Sequence, residues 1–194
     1  MNIGITTSFI VGGLLLLSIL HMNFAFSNNS MQTTLQVVAK NRAQTISQTL
    51  TADFKRMGYG VAGSQVTDVI TTLEDSTKIS FEADLDNDGT PESITWHYQV
   101  NTKYTASANP DDYVLTRTVG SETYTYPAVS FKFTFYDSGY NPTSTIADVS
   151  RIGVEVVCES SEAISTGNGQ EQYGRAFWQR TIIPPSIHIR QLQS

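Results

Sequence analysis

The chain has one cysteine, Cys158, in 194 residues, so no disulfide can close within it and core packing has to hold the fold. Cys158 alternates with Ile152, Val154 and Val156, the spacing of a buried strand position rather than of a reactive thiol. Histidine is nearly as scarce. His21 sits in an apolar run, His97 is expected on the exposed face of a strand opposite Trp96, and His188 lies in the C-terminal tail. No nucleophile elbow, phosphate loop or zinc spacing accompanies them, so no catalytic residue is assigned and no enzymatic role is expected. Positive charge is thin too: 12 Lys and Arg stand against 18 Asp and Glu, and acids crowd between Glu74 and Glu92 with only Lys78 to offset them. Binding to nucleic acid relies on clustered Lys and Arg, so no nucleic-acid partner is expected. The most informative absence is at the front, where Asn2 to Ala39 contains no Asp, Glu, Lys or Arg.

Within that stretch Ile3 to Phe26 is mostly apolar. As a helix it would reach ~35 Å, enough for a hydrocarbon core of ~30 Å. Three roles fit such a run. A cleavable secretory signal would have its apolar region at Ile10 to Leu20 and a small-residue site near Ala25-Phe26-Ser27, but nothing cationic precedes that region except the α-amino group. A plain membrane anchor and a filament-core helix would both keep the run in the mature chain.

The segment behind the run favours retention. Leu35, Ala39, Ala43, Ile46, Leu50, Phe54 and Met57 recur at intervals of three and four, one face of a straight helix, and Gly58 and Gly60 supply a stop. Asn28, Asn29 and Ser30 are weak helix formers, but no proline breaks the pattern. A helix continuous to Met57 would be ~80 Å long, too long to bury against one small domain. Its front, with Ile10, Leu14, Leu15, Leu16, Leu17, Ile19, Leu20 and Phe24 as the candidate filament-core residues, has to be covered by lipid or by other subunits.

Residues 1–58 therefore form one unit and residues 59–194 a β-rich head. In the head, Ile79, Phe81, Ala83 and Leu85 alternate along one strand, and Ile94, Trp96, Tyr98 and Val100 along the next. Val129, Phe131, Phe133 and Phe135, then Ile152 to Cys158, give two more, with Tyr113 to Val119 and Tyr173 to Ile183 as weaker strands. Period-two alternation with turn residues between predicts an antiparallel sheet with one buried face. Thr102 to Asp112, Ser138 to Thr145 and Ser160 to Gln170 read as surface loops. The expected class is α+β, a long N-terminal helix packed at its rear on a C-terminal antiparallel sheet.

The sharpest chemical motif is Asp84-x-Asp86-x-Asp88-Gly89, with Glu92 close behind. Alternate acids before a glycine let several oxygens converge on a hard cation, and the opening matches the first half of a calcium loop. The twelfth position holds Thr95 inside a strand, so this is no EF-hand, although Glu92 offers a nearer ligand. The other reading is a hairpin whose Asp-Gly turn supplies backbone freedom, with its carboxylates in water. Tyr104, Tyr113, Tyr124, Tyr126 and Tyr140 suit either an adhesive surface or strand packing.

The helix end Asp53-Phe54-Lys55-Arg56-Met57-Gly58-Tyr59-Gly60 resembles the segment where W-type minor type IV pilins leave their helix. The block from Ile79 to Trp96 is similar to their aspartate-rich hairpin. Val129 to Asp137 and Ile152 to Val157 resemble their later strands, and Arg180 to Arg190 their C-terminal strand and tail, in the same order. The resemblance implies a pilin fold and residence in the inner membrane before assembly. It also implies a place in a cell-surface pilus or pseudopilus, through helix packing against copies of itself or other pilins. Family members carry a basic leader, a glycine at the peptidase site and an early glutamate. Here Gly4 is the leader-like glycine, no Lys or Arg precedes it, and no glutamate occurs before Glu74. Thr6, Thr7 and Ser8 offer only neutral hydrogen-bonding groups in its place. The alternative is a monomeric membrane-anchored or secreted binding domain, such as a calcium-dependent adhesin.

Overall fold

One uninterrupted helix, α1 (Ile3–Arg56), forms the front of the molecule. The structure is a computed structural model that describes residues 3–63, 65–165 and 169–193. With no proline inside it, α1 passes through Asn28 to Ser30 without a break and is ~80 Å long. Its hydroxyls are consumed locally: Thr7, Ser8, Ser18, Thr33 and Thr34 each donate to the carbonyl four residues earlier, at 2.9–3.0 Å. Such back-bonding satisfies the polar groups without a partner element. All seven residues of the expected face, Leu35 to Met57, are buried. Gly58 then turns the chain with φ +75°, and a Cβ there would collide with Val69 and Ser186.

The head contains eight strands: β1 (Ile70–Glu74), β2 (Lys78–Ala83), β3 (Glu92–Lys103), β4 (Tyr113–Val119), β5 (Glu122–Ala128), β6 (Ser130–Tyr136), β7 (Arg151–Ser165) and β8 (Glu171–Ile182). They form two antiparallel sheets rather than the single one expected, a five-stranded meander β1-β2-β3-β4-β5 and a three-stranded β6-β7-β8. The switch comes at Val129. No turn separates β5 from β6; Val129 N–H donates to Val157 O at 2.9 Å and its carbonyl accepts from Tyr98 Oη at 2.8 Å, carrying the chain from one sheet to the other. The rear of α1 packs on β7 and β8. Phe54 reaches both sheets, with its ring 5.5 Å from Phe81 and 6.0 Å from Phe133.

The alternating faces hold for Ile79 to Ala83, Ile94 to Tyr98, Phe131 to Phe135 and Ile152 to Cys158, all buried. They fail at the ends: Leu85 lies past β2 and is half-buried, and Val100 is exposed where β3 runs beyond its partner. Two expected loops are shortened. β3 extends to Lys103, and β7 continues through a register irregularity to Ser165; residues 166–168 of the loop expected at 160–170 lie outside the described residues. The expected C-terminal tail is instead a helix, α2 (Pro185–Gln193), folded back on the end of α1. Ser186 Oγ donates to Met57 O, and buried Arg190 donates to Val61 O at 2.9 Å and Gly63 O at 2.5 Å. That guanidinium satisfies loop carbonyls that strands cannot reach.

Candidate functional site

Among the described residues the front of α1 meets the head only at its base, where Gln32 Nε2 donates to Gln172 Oε1 at 3.4 Å. Residues 3–34 are all exposed, and Ile10, Leu14, Leu15, Leu16, Leu17, Ile19, Leu20 and Phe24 are each 45–69% accessible. Four successive leucines point to every side of a helix, so this surface is apolar all round and not a stripe. Its mean hydropathy over 18 residues is 2.2, and by length and composition it can cross a membrane. His21 lies exposed on this rod.

The structure brings Asp84, Asp86, Asp88 and Glu92 together, each with a carboxylate oxygen within 4.8 Å of the others. Asp84 is buried rather than facing water. Its oxygens accept from Asn87 N at 2.7 Å and Gly89 N at 3.0 Å, while Asp86 accepts from Asp88 N at 3.1 Å and Asp88 from Thr90 N at 2.7 Å. Glu92 closes the loop by accepting from Leu85 N at 2.8 Å. Backbone N–H groups thus offset part of the crowding. One oxygen each of Asp86, Asp88 and Glu92 has no donor among the described residues. Asn87 and Gly89 take the left-handed conformation that the tight loop requires, at φ +62° and +89°. Thr95 is occupied in β3, its hydroxyl 2.8 Å from Ser80 Oγ, so it supplies no ligand. An all-oxygen donor set of this kind fits a hard divalent cation. The loop is fastened to the helix end, where Asp84 N donates to Tyr59 O at 2.9 Å, Arg56 donates to Leu85 O, and Gly60 leaves no room for a Cβ beside Asp84.

Two ion pairs pin α1 to the head. Buried Asp53 accepts both Nε and Nη2 of Arg117 on β4 at 2.7 Å and Nε1 of Trp96 on β3 at 2.8 Å. The hydrogen bonds it donates to Asp53 raise the Arg117 pKa, against the opposing effect of burial. Further forward, Arg42 donates to Asp112 Oδ2 at 2.9 Å and Glu159 O at 2.7 Å.

Cys158 is buried, and burial pushes its thiol pKa up to about 12, so it is an inert core residue. His97 is half-buried and His188 exposed, and neither belongs to a metal-ligating cluster among the described residues. Tyr126 stacks on Trp96 at 5.8 Å and Tyr113 packs edge-on against Tyr98, whereas Tyr124 and Tyr140 are exposed. No protein-family model, curated protein or solved structure matches the chain.

Proposed function

We propose that this chain is a structural subunit of a type IV pilus-like or pseudopilus filament. It resides in the inner membrane through the front of α1, then buries that front among copies of itself or of related pilins, with the head at the cell surface. The observation that carries the reading is the exposed rod: residues 3–34, free of Asp, Glu, Lys and Arg, leave the head as the same unbroken helix that is pinned to it. The resemblance of its motifs, taken in order, to those of W-type minor pilins supports it. The acidic loop adds a calcium ion held by Asp84, Asp86, Asp88 and Glu92, which would fix the loop beside the helix end.

A membrane-anchored monomer is the competing reading, favoured by the hydropathy of the same segment. Assembly separates the two. Imaging sheared surface filaments and sequencing their subunit should find this chain with residues 10–24 present. Leu16→Asp should abolish filaments, because a charge inside an apolar bundle costs several kcal/mol. Normal filaments from that variant would sink the packing reading.

A further inference from the structure

Two adjoining hollows of about 320 and 370 Å³ lie between α1 and β8 and share Ser47, Gln48 and Trp178, making one groove from Lys40 to Arg180. Its charged lining is Lys40, Lys55 and Arg180, with no carboxylate among the described residues. Elsewhere the basic side chains are used: in the two pins, in clamps on carbonyls such as Arg190 and Arg151, and in surface pairs such as Lys78 with Glu74. Among the described residues only Lys40, Lys55, Lys132 and Arg180 hold no hydrogen bond or ion pair. Lys132 faces Glu155 across the β6–β7 register. The other three line the groove, Lys40 at one end and Lys55 with Arg180 at the other.

The same chain carries the complementary anion. Glu82, Asp84, Asp86, Asp88 and Glu92 fall in a stretch that contains no Lys or Arg, and Asp86 and Asp88 project into solvent, so the loop stays net negative even with one divalent cation among its carboxylates. Within one chain the loop makes no hydrogen bond or ion pair with Lys40, Lys55 or Arg180 among the described residues. It is bonded to Tyr59 and Arg56 at one end of the helix, and Lys40 lies 15 residues from Lys55, or ~22 Å along α1. We propose that the acidic loop of one copy docks in the α1–β8 groove of a second copy. In the proposed filament each groove takes the loop of the next copy along, and each loop enters the groove of the copy before, so the contact is head-to-tail. Such a contact does not close into a two-fold pair; it continues into a ring or an open filament. The proposal rests on the filament reading and names the head surfaces that meet in it.

Cross-linking of the full-length chain tests it. Cys158 is buried and silent, so thiols placed by Gln48→Cys and Asp86→Cys report alone. With a short bis-maleimide, filaments of the double variant should give a ladder of covalent oligomers, and the Gln48→Cys single variant none. Lys55→Glu with Arg180→Glu should reduce assembly at least tenfold, and adding Asp86→Lys with Asp88→Lys should restore it. Intact filaments without a ladder would overturn the docking and leave the filament reading standing. A ladder from Gln48→Cys with Phe24→Cys, in place of Asp86→Cys, would assign the groove to a neighbour's front helix and overturn it too. Absence of any filament from the unaltered chain would remove the filament reading itself.

Discussion

Replacing Asp53 by alanine is the most direct test of how helix and head are joined. Asp53 is 4% exposed and receives three hydrogen bonds of 2.7–2.8 Å, two from one guanidinium. Without the carboxylate, the Arg117 side chain, 15% exposed, loses its counter-charge, and the indole N–H of fully buried Trp96 loses its acceptor. Breaking a buried pair by removing one partner costs ~3–5 kcal/mol, and an orphaned donor ~1–3 kcal/mol. These overlap, and the opening beside Arg117 lets water reach it, so the lower end, ~3 kcal/mol, applies. For a domain of this size that is a fall of about 6–12 °C in Tm. Urea and thermal unfolding of the full chain in detergent micelles, followed by tryptophan fluorescence and circular dichroism, would read it. Arg117→Ala completes a double-mutant cycle, in which the pair should lose less than the sum of the singles because no unpaired charge remains. A cost under about 1 kcal/mol for Asp53→Ala, with no coupling in the cycle, would refute a pin at this position.

Asp86→Ala should abolish the rise in Tm that millimolar calcium gives over chelator, a stabilisation of about 2.7 kcal/mol at a hundredfold excess over Kd; identical melting of the unaltered chain with and without calcium would remove the ion from the loop. Gly174→Ala should destabilise by about 1–3 kcal/mol in urea titration, since its Cβ would press on the backbone of Leu35. Stability should fall above pH 9: unfolded Cys158 ionises near 9.0 while the folded thiol keeps its proton to about 12, so stability is complete below 9 and lost as pH rises toward 12. The loss is ~1 kcal/mol by pH 10, checked by urea midpoints at pH 7 and 10, and Cys158→Ala should flatten that slope.

The helix was legible because its rear has one dry side. Every residue of the three-and-four spacing from Leu35 to Met57 is buried, which is what a sheet on one face imposes. The strands with a buried face were equally plain. β1 and β5 were not, because they are the edges of the larger sheet, with only Ile70 and Ala128 buried, and an edge strand need not alternate. The division into two sheets has no turn signal to announce it, since the chain passes from β5 to β6 through a bend at the single residue Val129. The acidic motif was visible, but the burial of Asp84 depends on Gly60, many residues away in sequence. Asp53 did leave a signal: it sits between Leu50 and Phe54 on the buried stripe, where an acid requires a partner.

The pins also bear on what the front helix is for. A tether needs only ~20 apolar residues and tolerates a loose joint. Here the exposed part spans residues 3–34, ~48 Å, and α1 runs without a break into a head that grips it at Arg42 and Asp53. A rod fixed in this way holds the acidic loop and the basic groove at set heights along its axis, as the proposed filament requires. The residues from Ser27 to Thr34 sharpen the point. They are largely polar and would lie beyond a ~30 Å hydrocarbon core, yet none is charged. On a solvated helix nothing disfavours charge, and the exposed positions of the rear carry Lys40, Lys55 and Arg56. Among the helices of neighbouring copies an unpaired charge would cost several kcal/mol, whereas hydroxyls such as Thr33 and Thr34 satisfy themselves on their own backbone. That contrast between polar-uncharged front and charged rear supports a bundle around the whole rod over lipid around part of it.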